Sequence, residues 1–366
     1  MKKILLGTTA IVGTALLVGP AFAEAPKLGM SGNVKFEATF VDQDPDSLTT
    51  STLSRGYDFT VDDAEIVFKA SSTADNGLEY GAKIEFEFES SATDEAMIWL
   101  EGDWGTINLG NEDGAEDAMK VGGFSLLTAA GGYDGENEFT NSSGAITGPS
   151  FVGDTSDANK VTYYTPKMSG FQVGVSFTPD AGQDFDEAMS EEDGDMENHI
   201  GVGVKYDGEF DQVGISASVR YMSAGYEAND IGGTTAEKND VSSIGLGAKV
   251  TFGDFAVAAG YQNNGDSGIT EANETLGLDA GEWYDVAASY SSGAIKVAVG
   301  YLHTEKQTAA TTSSDADMFT IGANYTVAEG LDFYGEFNYV ELEDGLAATL
   351  NDNEATTIIV GTKVSF

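Results

Sequence analysis

Glu79-Tyr-Gly-Ala-Lys-Ile-Glu-Phe-Glu-Phe-Glu89 divides cleanly into two faces. Tyr80, Ala82, Ile84, Phe86 and Phe88 fall on one, and Glu79, Lys83, Glu85, Glu87 and Glu89 on the other. A period of two marks a β-strand whose faces meet different surroundings. Ser31 to Phe40 repeats the pattern, with Val34, Phe36, Ala38 and Phe40 opposed to Asn33, Lys35, Glu37 and Thr39. Alternation recurs over 63–71, 95–101, 105–111, 160–167, 170–178, 200–206, 212–222, 241–252, 255–262, 282–291, 294–304, 318–327, 331–341 and 356–366. With the first two segments this predicts about sixteen strands.

The connections alternate too. Short ones carry Asp75-Asn-Gly77, Gly102-Asp103, Met168-Ser-Gly170, Asp207-Gly208, Gly253-Asp254, Ser292-Gly293 and Glu329-Gly330. Asn-Gly and Asp-Gly pairs supply the positive φ of tight hairpins. Long polar connections are predicted at 42–56, 111–159, 179–198, 225–240, 263–281, 306–317 and 344–354. Tight turns at one rim and long loops at the other describe an even, antiparallel transmembrane barrel.

Met1-Lys2-Lys3, an uncharged apolar stretch from Ile4 to Gly19, and Ala21-Phe-Ala23 form a secretory signal peptide, predicted to be cut after Ala23. Cleavage removes two lysines and takes the formal charge from −44 to −46. Residues 24–366 form the predicted barrel. Past residue 23 no run approaches the ~18 apolar residues of a spanning helix. A membrane crossing then requires closed strands, because hydrocarbon offers no partner to an open backbone group.

The chain carries 61 Asp+Glu against 17 Lys+Arg. Such a surface repels nucleic acid and attracts cations. It suits a saline habitat equally well. Hydrophobic residues at 41% and aromatics at 10% argue against disorder. The absence of cysteine excludes disulfides and thiolate metal sites. His199 and His303 are the only histidines, and no G-x-S-x-G elbow occurs, so no enzyme activity is predicted. A soluble β-sandwich also alternates. Aromatics gathered at strand ends (Tyr163, Tyr164, Phe171, Tyr206, Tyr221, Tyr261, Tyr290, Tyr301, Tyr325 and Tyr339) favour the barrel, where they would form interfacial girdles.

The chain ends with Ile358, Val360, Thr362, Val364 and Phe366 on one face. A last strand ending in an aromatic resembles the insertion signal of outer-membrane barrels, which assigns that role to Phe366. Together with Ala64 to Glu87, Ala96-Met-Ile-Trp-Leu-Glu-Gly-Asp-Trp-Gly-Thr-Ile-Asn-Leu-Gly-Asn111 and Lys160 to Val175, nearly everything after residue 23 resembles the sixteen-stranded general porins of Gram-negative bacteria, in particular the alphaproteobacterial kind. The resemblance implies a homotrimer in the outer membrane, inserted by the barrel-assembly machinery. Each subunit would carry one pore for small hydrophilic solutes, with no cofactor required.

It also implies that the connection 111–159 folds inward as the constriction. That connection carries Glu112, Asp113, Glu116, Asp117, Asp134, Glu136, Glu138, Asp154 and Asp157, with Lys120 the lone base before Lys160. The facing basic wall would be Lys35, Arg55, Lys69 and Lys83, with the first and last two turned inward by the alternation. Opposed acids and bases create a transverse field, and the acidic excess predicts cation selectivity. Two carboxylate clusters, Asp42, Asp44 and Asp46, and Glu191, Glu192, Asp193 and Asp195, are candidate Ca²⁺ ligands. The first is not an EF-hand, since Ser47 and Leu53 occupy the Gly and Glu positions of that loop. Alternative functions are a substrate-specific channel, with Trp99 or Trp104 binding solute, and a secreted acidic calcium-binding protein.

Overall fold

The computed structural model describes residues 25–45, 56–88, 92–134, 152–185, 194–227, 238–309, 312–344 and 352–366. The expected leader at 1–23 lies outside them. Sixteen antiparallel strands close into one barrel, each bonded to its neighbours in sequence and the first to the last. The first eight are β1 (Lys27–Pro45), β2 (Tyr57–Thr73), β3 (Glu79–Glu87), β4 (Ala92–Gly102), β5 (Gly105–Asn111), β6 (Asn159–Tyr164), β7 (Phe171–Asp180) and β8 (Met196–Phe210). They are followed by β9 (Val213–Tyr226), β10 (Val241–Phe252), β11 (Phe255–Asn263), β12 (Glu282–Ser292), β13 (Ile295–Ala309), β14 (Thr312–Ala328), β15 (Leu331–Asp344) and β16 (Asn353–Ser365).

Closure runs from Asn33 opposite Ser365 to Pro45 opposite Asn353. Gly32 and Phe366 extend it by exchanging N–H···O bonds of 3.0 Å in each direction. The faces are inverted relative to a water-soluble protein. Phe36 is 47% exposed while its neighbour Glu37 is 0% exposed. Ile358 is likewise 46% exposed beside Thr357 at 2%. The buried Glu37 accepts a 2.5 Å hydrogen bond from the Tyr334 hydroxyl on β15. An apolar outside around a polar inside excludes the sandwich and fits a barrel in lipid. Among the described residues no helix is long and apolar enough to cross a membrane.

Aromatic pairs mark both edges of the apolar belt. Phe171 lies 4.7 Å from Tyr206, and Phe255 4.8 Å from Tyr290, near the tight turns. Toward the other end Tyr301 stands 6.2 Å from both Tyr284 and Phe319.

Several expected boundaries need correction. β2 begins at Tyr57, six residues before the alternation suggested. A bulge accounts for this: Asp63 adopts φ 54°, and the register shifts between Asn33 and Lys35. Val61 and Ile66 therefore oppose Phe36 and Gly32, positions of one parity on β1, although they are five apart. Asp207-Gly208 is not a turn. β8 continues to Phe210 and the chain reverses at Asp211, with φ 55°. The span 306–317 is mostly strand, because Lys306 opposite Ser314 and Glu305 opposite Asp315 prolong the ladder. At Met168-Ser-Gly170 the expected tight turn forms, with Ser169 at φ 52° and Gly170 at φ 90°.

Ile321 lies on the belt between Phe319 and Tyr325 and is 47% exposed. Ile321→Arg should destabilise the barrel by about 2–4 kcal/mol in denaturant titrations of vesicle-inserted protein. Ile321→Leu should stay within about 1.5 kcal/mol of the parent.

Candidate functional site

After β5 the chain turns into the barrel. Helix α1 (Ala115–Ala118) touches β6, β7, β8 and β9. A 3₁₀ turn at Gly123–Leu126 touches β11, β12 and β13, and a second at Gly132–Asp134 touches β13, β14 and β15. Leu126, Leu127 and Tyr133 are buried with Ala258, Trp283, Ala287 and Leu302 of the wall. Those wall side chains have the parity opposite to the exposed belt, so the segment lies along the inner surface.

Glycines on the wall permit this close approach. A Cβ on Gly201 would fall 1.6 Å from Glu116 Oε2, and one on Gly203 2.8 Å from the Ala115 carbonyl oxygen. One on Gly247 would fall 1.7 Å from the Val121 carbonyl oxygen. On Gly300 and Gly322 it would meet Leu127 at 2.8 Å and Thr128 at 2.2 Å. Glycine inside a strand marks a place where another backbone comes near.

Polar wall groups hold the segment's backbone. Asp285 accepts from Phe124 N–H at 2.8 Å and from the Tyr133 hydroxyl at 2.6 Å. Glu336 accepts from Thr128 at 2.6 Å and from Gly132 N–H at 2.9 Å. Lys296 donates to the Leu127 carbonyl at 2.6 Å, and Lys160 to the carbonyls of Glu112 and Ser156. Arg220 donates to the Glu116 carbonyl at 3.4 Å and to Gln262 at 3.2 Å.

The acidic residues take different positions. Glu112 pairs with Lys83 at 3.2 Å, and Asp117 pairs with Lys120. Asp154 accepts from Ser156 N–H at 2.8 Å, and Asp157 accepts from the Ser156 hydroxyl at 3.3 Å. Glu116, expected among the pore-facing acids, is only 1% exposed and faces Gly201 on the wall. Burial pushes the Asp113 carboxyl up to about 7, and the charges of Asp117, Asp154 and Asp157 add to this. Burial, with Asp154 adding, likewise pushes Glu116 up to about 7. Burial raises Asp154 and Asp157 above the usual range as well. Of Asp134 only the backbone is described, and Glu136 and Glu138 lie outside the described residues.

The basic wall is largely neutralised. Lys35 meets Asp62 at 2.5 Å and Asp63 at 3.7 Å. Lys83 is bonded to Glu95 and lies 3.4 Å from Glu85 in addition to Glu112. Lys69 sits 4.7 Å above the Trp99 ring, while Arg55 lies outside the described residues. Sequence reasoning missed Lys160, Arg220, Lys296, Asp285 and Glu336, which bind the segment. Their inward parity was available, but no pattern says which inward charge meets a loop.

Of the expected calcium ligands, Asp46, Glu191, Glu192 and Asp193 lie outside the described residues. Asp42 and Asp44 are not on a loop: β1 carries them opposite Thr356 and Glu354, because pairing with β16 continues to Pro45. Asp195 lies beside Gly182, whose added Cβ would meet its Oδ2 at 2.1 Å. The expected insertion residue, Phe366, closes the ladder with Gly32 and is 56% exposed.

A family model described as Gram-negative porin matches residues 7–345. A "Monosaccharide porin" of Halomonas sp. is 23% identical, covering 93% of this chain and 80% of its own. Among solved structures, an anion-selective porin from Comamonas acidovorans superposes with a TM-score of 0.63 at 19% identity, over 93% of this chain and all (100%) of that one. The trimer form of Vibrio cholerae OmpT has a TM-score of 0.63 at 16% identity, over 94% of this chain and 100% of its own.

Gly247→Val should unseat the inner segment, since the added side chain needs the space of the Val121 carbonyl. Limited proteolysis of folded protein should then cut within 112–134 at least about tenfold faster, a factor equivalent to about 1.4 kcal/mol of lost seating. A raised carboxyl pKa means that the seated loop binds more protons than the released one. Seating is therefore strongest below the ordinary carboxylate range and weakens as pH rises through about 7. Proteolysis of the loop should accelerate from pH 5 to pH 8, and Asp113→Asn with Glu116→Gln should flatten that dependence.

Proposed function

The chain belongs to the Gram-negative porins of the outer membrane, and we propose that the barrel is a water-filled, cation-selective channel narrowed by its inner segment. The carrying observation is an imbalance of fixed charge. Burial raises the proton affinity of Asp113, and the charges of Asp117, Asp154 and Asp157 stand close enough to raise it further. The lysines expected on the facing wall are already committed, Lys35 to Asp62 and Lys83 to Glu85, Glu95 and Glu112. A low-dielectric wall focuses the remaining negative field into the lumen, which favours hydrated cations over anions. Small neutral solutes diffuse with the water, and apolar ones disturb its ordering in the field. The anion-selective Comamonas porin has the same fold, so the sign of selectivity rests on lumen side chains. Family and fold indicate a channel rather than an enzyme, and passive diffusion requires no cofactor. A homotrimer follows by analogy with the trimeric OmpT.

A second reading has one favouring observation. A cavity of about 450 Å³ inside the barrel is bordered by Lys69, Glu79, Trp99 and Glu101. An indole beside carboxylates suits a sugar, and the Halomonas relative is named a monosaccharide porin.

Mature protein in a planar bilayer under a potassium chloride gradient tests both readings. Large ohmic steps with a cation-favouring reversal potential are expected. Asp113→Asn with Asp154→Asn should move the reversal potential toward zero, as should lowering pH from 8 to 5. Equal permeability of potassium and chloride in the parent at pH 8 would overturn the selectivity. Current block by a monosaccharide at low millimolar concentration, lost in Trp99→Ala, would favour the sugar channel.

A further inference from the structure

β13 and β14 carry a second constellation on the outer surface, the face opposite the one that the inner segment touches. Their register sets Glu305 opposite Asp315 and His303 opposite Asp317. These residues share parity with Val299, which is 40% exposed, whereas the adjacent Leu302 is 0% exposed and points inward. They stand just beyond Tyr284, Tyr301 and Phe319, at the level of the lipid headgroups. We propose that His303, Glu305 and Asp315 bind a divalent transition-metal ion of the zinc class at this outer rim.

Three observations support the site. One ligand atom from each residue lies within 4.8 Å of the others. Three ligands at about 2.1 Å from a tetrahedral ion stand roughly 3.4 Å apart, so small side-chain rotations complete the set. The imidazole is already oriented: Nδ1 lies 2.9 Å from Asp317 Oδ1, which also accepts the Tyr301 hydroxyl at 2.5 Å. That bond leaves Nε2 for the ion. The third observation is a neighbouring cavity of about 340 Å³ lined by Asp266, Asp279, Glu282 and Glu305, with no Lys, Arg or His in its lining. Glu282 is held there by Tyr261 at 2.7 Å and Asn263 at 2.8 Å. Such a cavity concentrates cations beside the triad.

The donor set decides the ion class. One imidazole nitrogen with two carboxylates suits zinc and its neighbours, while calcium and magnesium prefer all-oxygen shells. Three protein ligands leave a coordination position for water or an anionic headgroup oxygen.

Isothermal titration of zinc chloride into the full mature protein in detergent tests the proposal, with X-ray absorption on the loaded protein reporting its ligands. Expected are one ion per chain, a first shell containing nitrogen, and affinity at least about tenfold lower in both His303→Gln and Asp315→Asn. The two substitutions lie on different strands, and unchanged potassium chloride conductance would establish that each variant folds. No stoichiometric uptake would overturn the site. So would affinity unchanged from the parent in both variants, or displacement of zinc by equimolar calcium, which would mean diffuse binding to surface carboxylates.

Discussion

The governing constraint is that backbone amides in hydrocarbon have no partner except one another. A single unpaired strand edge would leave a row of polar groups in lipid, so the ladder between β1 and β16 is as necessary as any within the sheet. Its terminal exchange between Gly32 and Phe366 completes the ring where the chain ends. The apolar belt, the polar interior and the two aromatic edges all presuppose that closure.

A closed polar-lined cylinder creates its own difficulty. Wide and water-filled, it would discriminate weakly. An inner segment lies along the wall, and the wall was built to receive it. Glycines at Gly201, Gly203, Gly247, Gly300 and Gly322 lower the wall's surface, and Asp285, Glu336, Lys160, Arg220 and Lys296 satisfy the segment's backbone and polar groups. Lys160, Arg220 and Lys296 are spent on this anchoring, while Lys35 and Lys83 are taken up in ion pairs.

The cluster at His303 obeys the same ladder logic on the opposite surface. Antiparallel pairing places residues of two strands at fixed separations, so Asp315 of β14 becomes a neighbour of His303 and Glu305 of β13. Asp315 sits in a span whose polarity reads as loop, and the ladder continues through it.

The sequence determined the strand count, the alternation, the inward parity of Lys35, Lys69 and Lys83, and the existence of a long acidic connection after the fifth strand. Each follows from local chemistry: a period of two, a turn dipeptide, an unbroken polar run. It misjudged Asp207-Gly208 and the start of β2, because a bulge at Asp63 and a non-glycine turn at Asp211 break the local rules while the ladder absorbs them. Only the tertiary structure decided which inward charges are spent. Lys83 meeting Glu112, Glu116 facing Gly201, and Lys296 meeting Leu127 depend on the path of one segment across many strands. Periodicity fixes the face a side chain occupies, and only closure of the barrel fixes what stands in front of it.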